Sequence, residues 1–150
     1  MTAIELPAGM VSIGRIPAWL LARGLPMGGL WLLNTVGSSS GITRTIPVAL
    51  VRLTGVEFIV SPFGEVAWVK NYRANGVAFF SRGRASHRVT FAEIHDERKP
   101  AVLRAYRRAY RAVPFVRAAF VATSSSPVHE FAAEAQRHPV FLVTRVGAGS

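Results

Sequence analysis

The chain has 150 residues, half of them hydrophobic and 17% charged, with a formal net charge of +10. That length is enough for one domain with a sizeable core, and the composition excludes a disordered chain. There is no cysteine, which rules out disulfide staples, thiolate metal sites and a cysteine nucleophile and points to a reducing, cytoplasmic setting. Acidic residues are unevenly spaced: none lies between Glu5 and Glu57, and none between Glu97 and Glu130. The second gap holds Arg98, Lys99, Arg104, Arg107, Arg108, Arg111 and Arg117. Such a stretch attracts anions (nucleic acid, anionic lipid or a phosphorylated cofactor) or serves simply as a solvated helix face.

The N-terminal residues 1–29 read as a separate helical and apolar segment ahead of a domain over 30–150. Residues 1–10 include Glu5 and Pro7 and lack a basic stretch, so no secretory signal is expected. The apolar run over 16–36 is interrupted by Pro17, Arg23, Gly24, Pro26, Gly28 and Gly29, whereas a membrane-spanning helix needs about 20 mostly apolar residues. Trp19, Leu20, Leu21, Leu25, Leu30 and Trp31 beside Arg15 and Arg23 suit either packing on the core or peripheral membrane contact. Residues 17–23 read as a short helix opened by Pro17.

Residues 30–36 then read as a strand, 37–41 as a loop, 44–53 as a strand, Thr54-Gly55 as a tight connection and 56–60 as a strand. Val56, Phe58 and Val60 share one face of the last, Glu57 and Ile59 the other. After a loop at 61–64, residues 65–75 read as a helix closed by Gly76. Two strands follow, over 77–81 and 85–91. A basic helix is predicted from an Asp96 N-cap to about Arg111, with Leu103, Tyr106, Tyr110 and Val113 on one face and Arg104, Arg107, Arg108 and Arg111 largely off it. Residues 128–137 read as a last helix and 140–143 as a last strand. Short strands with interspersed helices indicate an α+β domain built on a β-barrel.

His87, His95, His129 and His138 show no metal-binding spacing, so no metal site is expected. No nucleophile elbow, Walker loop or dinucleotide-binding glycine motif occurs. Two loops remain. In Gly37-Ser38-Ser39-Ser40-Gly41, followed by Arg44, loop amides, serine hydroxyls and an arginine fork suit a phosphate, although Gly/Ser loops commonly just turn between strands. Ser61-Pro62-Phe63-Gly64 leads into a helix holding Trp68, Lys70, Asn71 and Tyr72. Trp68 fits either a stack on a flat cofactor or, with Tyr72 four residues on, a core-facing stripe.

The order of these motifs, with Arg44-Thr45-Ile46-Pro47, Trp68-x-x-Asn71-x-x-Ala74-Asn75, Ser81-Arg82-Gly83-Arg84 and Arg137-His138-Pro139-Val140, resembles the deazaflavin-dependent nitroreductase and quinone reductase family over residues 30–145. The resemblance implies a split β-barrel, FMN-binding-like, with an antiparallel Greek-key barrel and flanking helices. It implies the deazaflavin coenzyme F420 rather than FMN, and hydride transfer to a small hydrophobic quinone-, enone- or nitro-type acceptor. By motif match Ser38, Ser39, Ser40 and Arg44 would hold the phosphate. Ser61, Pro62, Phe63 and Gly64 would lie along the ring, and Trp68, Lys70 and Asn71 would finish the pocket. Ser61 is the catalytic candidate, polarising an acceptor oxygen, while Arg73, Arg82 or Arg84 would meet the anionic tail. A homodimer is implied by the same resemblance. The chain departs from the family pattern in having three serines where basic residues are usual, and no tyrosine over 123–137. The competing reading is a non-enzymatic binder of a lipid or hydrophobic ligand at a membrane surface. Nucleic-acid binding is not expected, since Phe115, Val116, Phe120 and Val121 follow the arginines as packing material and no nucleic-acid motif is present.

Overall fold

The computed structural model describes residues 30–146; the 17–23 helix and the proposed boundary at residue 29 lie outside them. Six strands form one closed antiparallel barrel: β1 (Leu30–Val36), β2 (Thr43–Leu53), β3 (Val56–Val60), β4 (Ala78–Arg82), β5 (Ala85–Glu93) and β6 (Val140–Arg145), in the spatial order β1-β2-β3-β6-β5-β4. Closure gives every strand among the described residues a partner on both sides, with β2 and β5 each divided between two neighbours along their length. The helices are α1 (Ala67–Asn75), α2 (Lys99–Ala109), α3 (Pro114–Ala119) and α4 (Val128–Ala132).

Alternation along the strands builds two cores. Leu33, Leu50, Ile59, Phe80, Val89, Phe91, Phe141 and Val143 fill one with Trp68, inside the barrel. Ala49, Val51, Phe58, Val60 and Val140 point the other way, under Leu103, Tyr106, Tyr110, Val113, Val116 and Phe131 of the helical layer. Side chains of a strand alternate between faces, and here both faces of β2 and β3 are covered. The Tyr106 and Tyr110 phenols are driven well above their ordinary pKa by burial, and the Tyr110 hydroxyl donates to the Leu50 carbonyl.

The β2–β3 connection is a two-residue hairpin in which Thr54 has φ 50° and Gly55 φ 80°. Positive φ at both central positions matches strand twist but crowds a β-branched residue. Thr54→Asn is therefore expected to raise stability by about 1 kcal/mol, measured as a higher urea midpoint. An unchanged or lower midpoint would show that the turn is not strained.

Strand directions place the 37–42 loop, the 61–64 loop, α1 and the start of β6 at one end of the barrel. The opposite end is closed from within by Glu57, His87, Arg145, Trp31 and Arg82. Arg145 forks onto Glu57 (2.8 and 3.0 Å) and donates to His87 Nε2 (2.8 Å), so His87 is neutral with its hydrogen on Nδ1. Burial and the adjacent Arg145 charge pull the His87 pKa down. Arg82 lies 3.7 Å over the Trp31 ring and donates to the Leu30 carbonyl. With one end plugged, the loop-bearing end is left to hold a ligand.

Several sequence expectations are corrected. Asp96 does not cap the basic helix: a 3-10 turn (Asp96–Arg98) precedes α2, and the Asp96 carboxylate pairs with Lys99 Nζ at 2.9 Å. Pro100, which lacks an N–H, falls in the first turn of α2, where none is needed. That helix ends at Ala109, short of the expected Arg111, and a separate α3 follows it. The expected 128–137 helix is split into α4 and a 3-10 turn (Ala135–Arg137). Arg107 is buried, its Nε donating to the Ala122 carbonyl at 3.3 Å.

Candidate functional site

The first loop is held by α1. Asn71 is buried; its Oδ1 accepts from the Ser38 N–H (3.0 Å) and its Nδ2 donates to Thr35 Oγ1 (3.3 Å). One turn on, Asn75 Nδ2 donates to the Val36 carbonyl at 2.9 Å. Gly76, at φ 66°, ends the helix with its N–H on the Tyr72 carbonyl. The loop closes on itself through Gly37 N–H to Ile42 O (2.8 Å) and Gly41 N–H to Gly37 O (3.1 Å). A Cβ at Gly37 would lie 2.4 Å from Ser40 Oγ, the atom that accepts the Ile42 N–H. A side chain at Gly37 would displace that hydroxyl and crowd the Ile42 carbonyl, 3.2 Å from the same Cβ position.

Ser38, Ser39, Ser40 and Arg44 are exposed on this frame. Among the described residues the Ser39 and Ser40 N–H groups and the Arg44 guanidinium have no protein partner. Two free amides and adjacent hydroxyls, followed in the chain by an unpaired guanidinium with no acidic residue between, are donors of the kind that fit a phosphate. The sizeable crevice at the same end, about 530 Å³ and lined by Glu93, Ile94, His95, Asp96, Glu97 and Lys99, has three carboxylates and does not suit an anion.

The second loop, 61–64, lies against the segment before β6. Ser61 N–H donates to the Pro139 carbonyl (2.8 Å), His138 Nδ1 meets the Pro62 carbonyl (2.8 Å), and Gly64 lies over the Arg137 carbonyl. Gly64 has φ 92°, and its amide returns to Ser61 O. Pro62 and Phe63 are half-buried, with the Phe63 ring stacked on Phe115 of α3 (centroids 6.5 Å apart). Loop conformation leaves the Phe63 N–H without a partner among the described residues.

Two expected site residues are placed elsewhere. Ser61 is fully buried and its Oγ donates to the Gly64 carbonyl at 2.5 Å, so its hydroxyl closes the loop rather than facing an acceptor. Trp68 is buried against Phe91 and Phe141 (centroids 5.9 and 5.6 Å away), as a core residue of the barrel rather than a stacking platform. Lys70 is exposed on α1. Of the arginines expected at the coenzyme tail, Arg73 is engaged by Glu93 and Glu65, while Arg82 and Arg84 lie at the plugged end.

Sequence reading missed the pair beneath the second loop. Glu134, buried, accepts the N–H groups of Val121 (3.1 Å) and Ala122 (2.7 Å) and meets His138 Nε2 at 2.8 Å. Burial opposes its charge, but the hydrogen bonds from His138, Ala122 and Val121 outweigh that and hold the carboxyl below its ordinary value of 4.5. Burial opposes charge on His138, but its two partners, the Pro62 carbonyl and the Glu134 carboxylate, can only accept, so each ring nitrogen carries a hydrogen and the two side chains form a buried ion pair. The only sequence sign of this pair is its four-residue spacing.

A closed antiparallel barrel with flanking helices, plugged at one end and carrying two loops at the other, defines the split-barrel fold. The F420H(2)-dependent quinone reductase family model matches residues 17–124, and the chain belongs to that family. It is therefore an oxidoreductase whose cofactor is coenzyme F420. Solved structures share the fold. An F420-H2 dependent reductase is 21% identical, with TM-score 0.50, covering 77% of this chain and 94% of its own. A domain-swapped dimer is 17% identical, with TM-score 0.50, covering 85% and 93%. A putative 5-nitroimidazole antibiotic resistance protein from Bacteroides thetaiotaomicron is 13% identical, with TM-score 0.51, covering 88% and 81%. No curated protein matches the chain.

Proposed function

We propose that the chain binds reduced coenzyme F420 across the two loops and passes its hydride to a quinone-, enone- or nitro-type acceptor. The observation that carries this reading is the acid-free 37–44 stretch, with unpartnered Ser39 and Ser40 N–H groups and Arg44 guanidinium, at the same barrel end as the 61–64 loop. Ser38, Ser39, Ser40 and Arg44 hold the phosphate, and Asn71 fixes the loop that presents them. Pro62, Phe63 and Gly64 border the ring, and Lys70, exposed on α1, adds positive charge near it. Ser61 acts through loop shape, and Trp68 through the barrel core beneath. When bound, the coenzyme supplies the hydride; the protein supplies orientation and field, and water supplies the accompanying proton. Anaerobic mixing of protein, reduced coenzyme and a soluble quinone is expected to regenerate oxidised-coenzyme absorbance well above the protein-free rate. No acceleration with any of the three acceptor classes would contradict the reading.

Two further parts belong to this proposal. A homodimer is drawn from the domain-swapped structure of the same fold. Peripheral membrane contact is proposed through the apolar N-terminal segment with Arg15 and Arg23, most of which lies outside the described residues. Among the described residues, no helix is long and apolar enough to cross a membrane.

A further inference from the structure

His138 is 2% exposed, sandwiched flat against Phe120 (centroids 4.3 Å apart, planes at 22°), and bonded at both ring nitrogens. The Pro62 carbonyl can only accept, so Nδ1 carries a hydrogen and donates it. Glu134 takes Nε2, and through its other bonds ties the ring to the backbone at Val121 and Ala122. The ring therefore has no rotational freedom, and its Nδ1–H points at one fixed place.

That place is a peptide plane of the second loop. A trans peptide holds its C=O and N–H on opposite sides, and the described residues have no cis bond. Drawing the Pro62 carbonyl toward the buried ring thus turns the following N–H, that of Phe63, away from it. This is the amide of the loop that lacks a protein partner. The Ser61 N–H on the Pro139 carbonyl anchors the loop on the same segment before this plane, and the Gly64 N–H on the Ser61 carbonyl closes it after.

We infer that His138 is a positioning residue for hydride transfer: its Nδ1–H sets the Pro62–Phe63 peptide plane and aims the Phe63 N–H at the bound ring. Glu134 holds the imidazole in the orientation that does so. The inference rests on the reading that the 61–64 loop borders the coenzyme.

Two substitutions separate positioning from packing. Asparagine places an amide N–H near the Nδ1 position, and glutamine places one near Nε2. His138→Asn keeps the bond to Pro62 O and gives up Glu134; His138→Gln does the reverse. Both lose the stack on Phe120, so both are expected to lose similar stability. Affinity for oxidised coenzyme F420, by fluorescence titration, is expected to stay within about threefold of wild type in His138→Asn and to fall about tenfold or more in His138→Gln, the size of one lost hydrogen bond. Equal affinities in two folded variants, or tighter binding by His138→Gln, would overturn the inference. Hydrogen exchange over residues 61–66 reads the loop with no coenzyme present: faster exchange in His138→Gln than in His138→Asn is expected. A wild-type protein that binds no coenzyme yet shows this difference would sink the site assignment and leave the positioning role standing. Equal exchange would sink the positioning role whatever the coenzyme does.

Discussion

Glu134→Ala is expected to lose about 3–5 kcal/mol of stability, the range for removing one partner from a buried charged network. The loss comes from what is stranded: the buried Ala122 amide and the half-buried Val121 amide after α3, the Arg137 guanidinium (2.9 Å), and Nε2 of the fully enclosed His138. Urea unfolding at neutral pH measures it, and a loss under about 1 kcal/mol would mean that water replaces the carboxylate. The same group predicts a pH response. Its folded pKa lies below the ordinary 4.5, so its stabilisation is fully present above that value and fades as pH falls through the lowered folded pKa. Glu57 at the plugged end behaves alike, its carboxyl lowered chiefly by the hydrogen bond from Arg145 against the penalty of burial. Wild-type stability should therefore fall on acidification below about pH 4.5, and Glu134→Ala should show a shallower fall, with only Glu57 of this pair left to titrate.

Arg44→Ala is expected to weaken coenzyme binding by about 1.5–3 kcal/mol, roughly tenfold to a hundredfold, while leaving the melting temperature unchanged. The two readouts are separable because the Arg44 side chain is exposed and bonds to nothing among the described residues. With serines in place of the usual basic residues of this loop, Arg44 is its sole full charge, which concentrates the effect on one residue. Arg44→Lys should recover part of the affinity, since an ammonium keeps the charge and loses the fork. Unchanged binding in Arg44→Ala would place the phosphate elsewhere on the protein.

The strands were legible because their signal is local. Residues 56–60 alternate between two faces, and both are buried, Phe58 under the helices and Ile59 in the barrel. Gly76 announced the end of α1 through its need for positive φ. What stayed hidden depends on closure of the barrel. Trp68 and Tyr72 fitted a stacking role and a core role equally well until Phe91 and Phe141, from strands distant in sequence, met them. Arg107 reads as a solvated member of a basic run, yet the turn after α3 folds over it and supplies the Ala122 carbonyl. His138 and Pro62 are 76 residues apart, brought together because β6 pairs with β3, a neighbour relation that no periodicity encodes. The Ser61 hydroxyl is claimed by the Gly64 carbonyl three residues on, a contact that residue type alone does not reveal.

The most direct test is a fluorescence titration of the purified, folded protein with oxidised coenzyme F420, with FMN as the control ligand. Saturable binding of the deazaflavin, lost in Arg44→Ala and absent for FMN, is the result the account predicts. Failure to bind the deazaflavin, in protein whose cooperative unfolding shows it to be folded, would contradict it and bring a hydrophobic-ligand binder to the front.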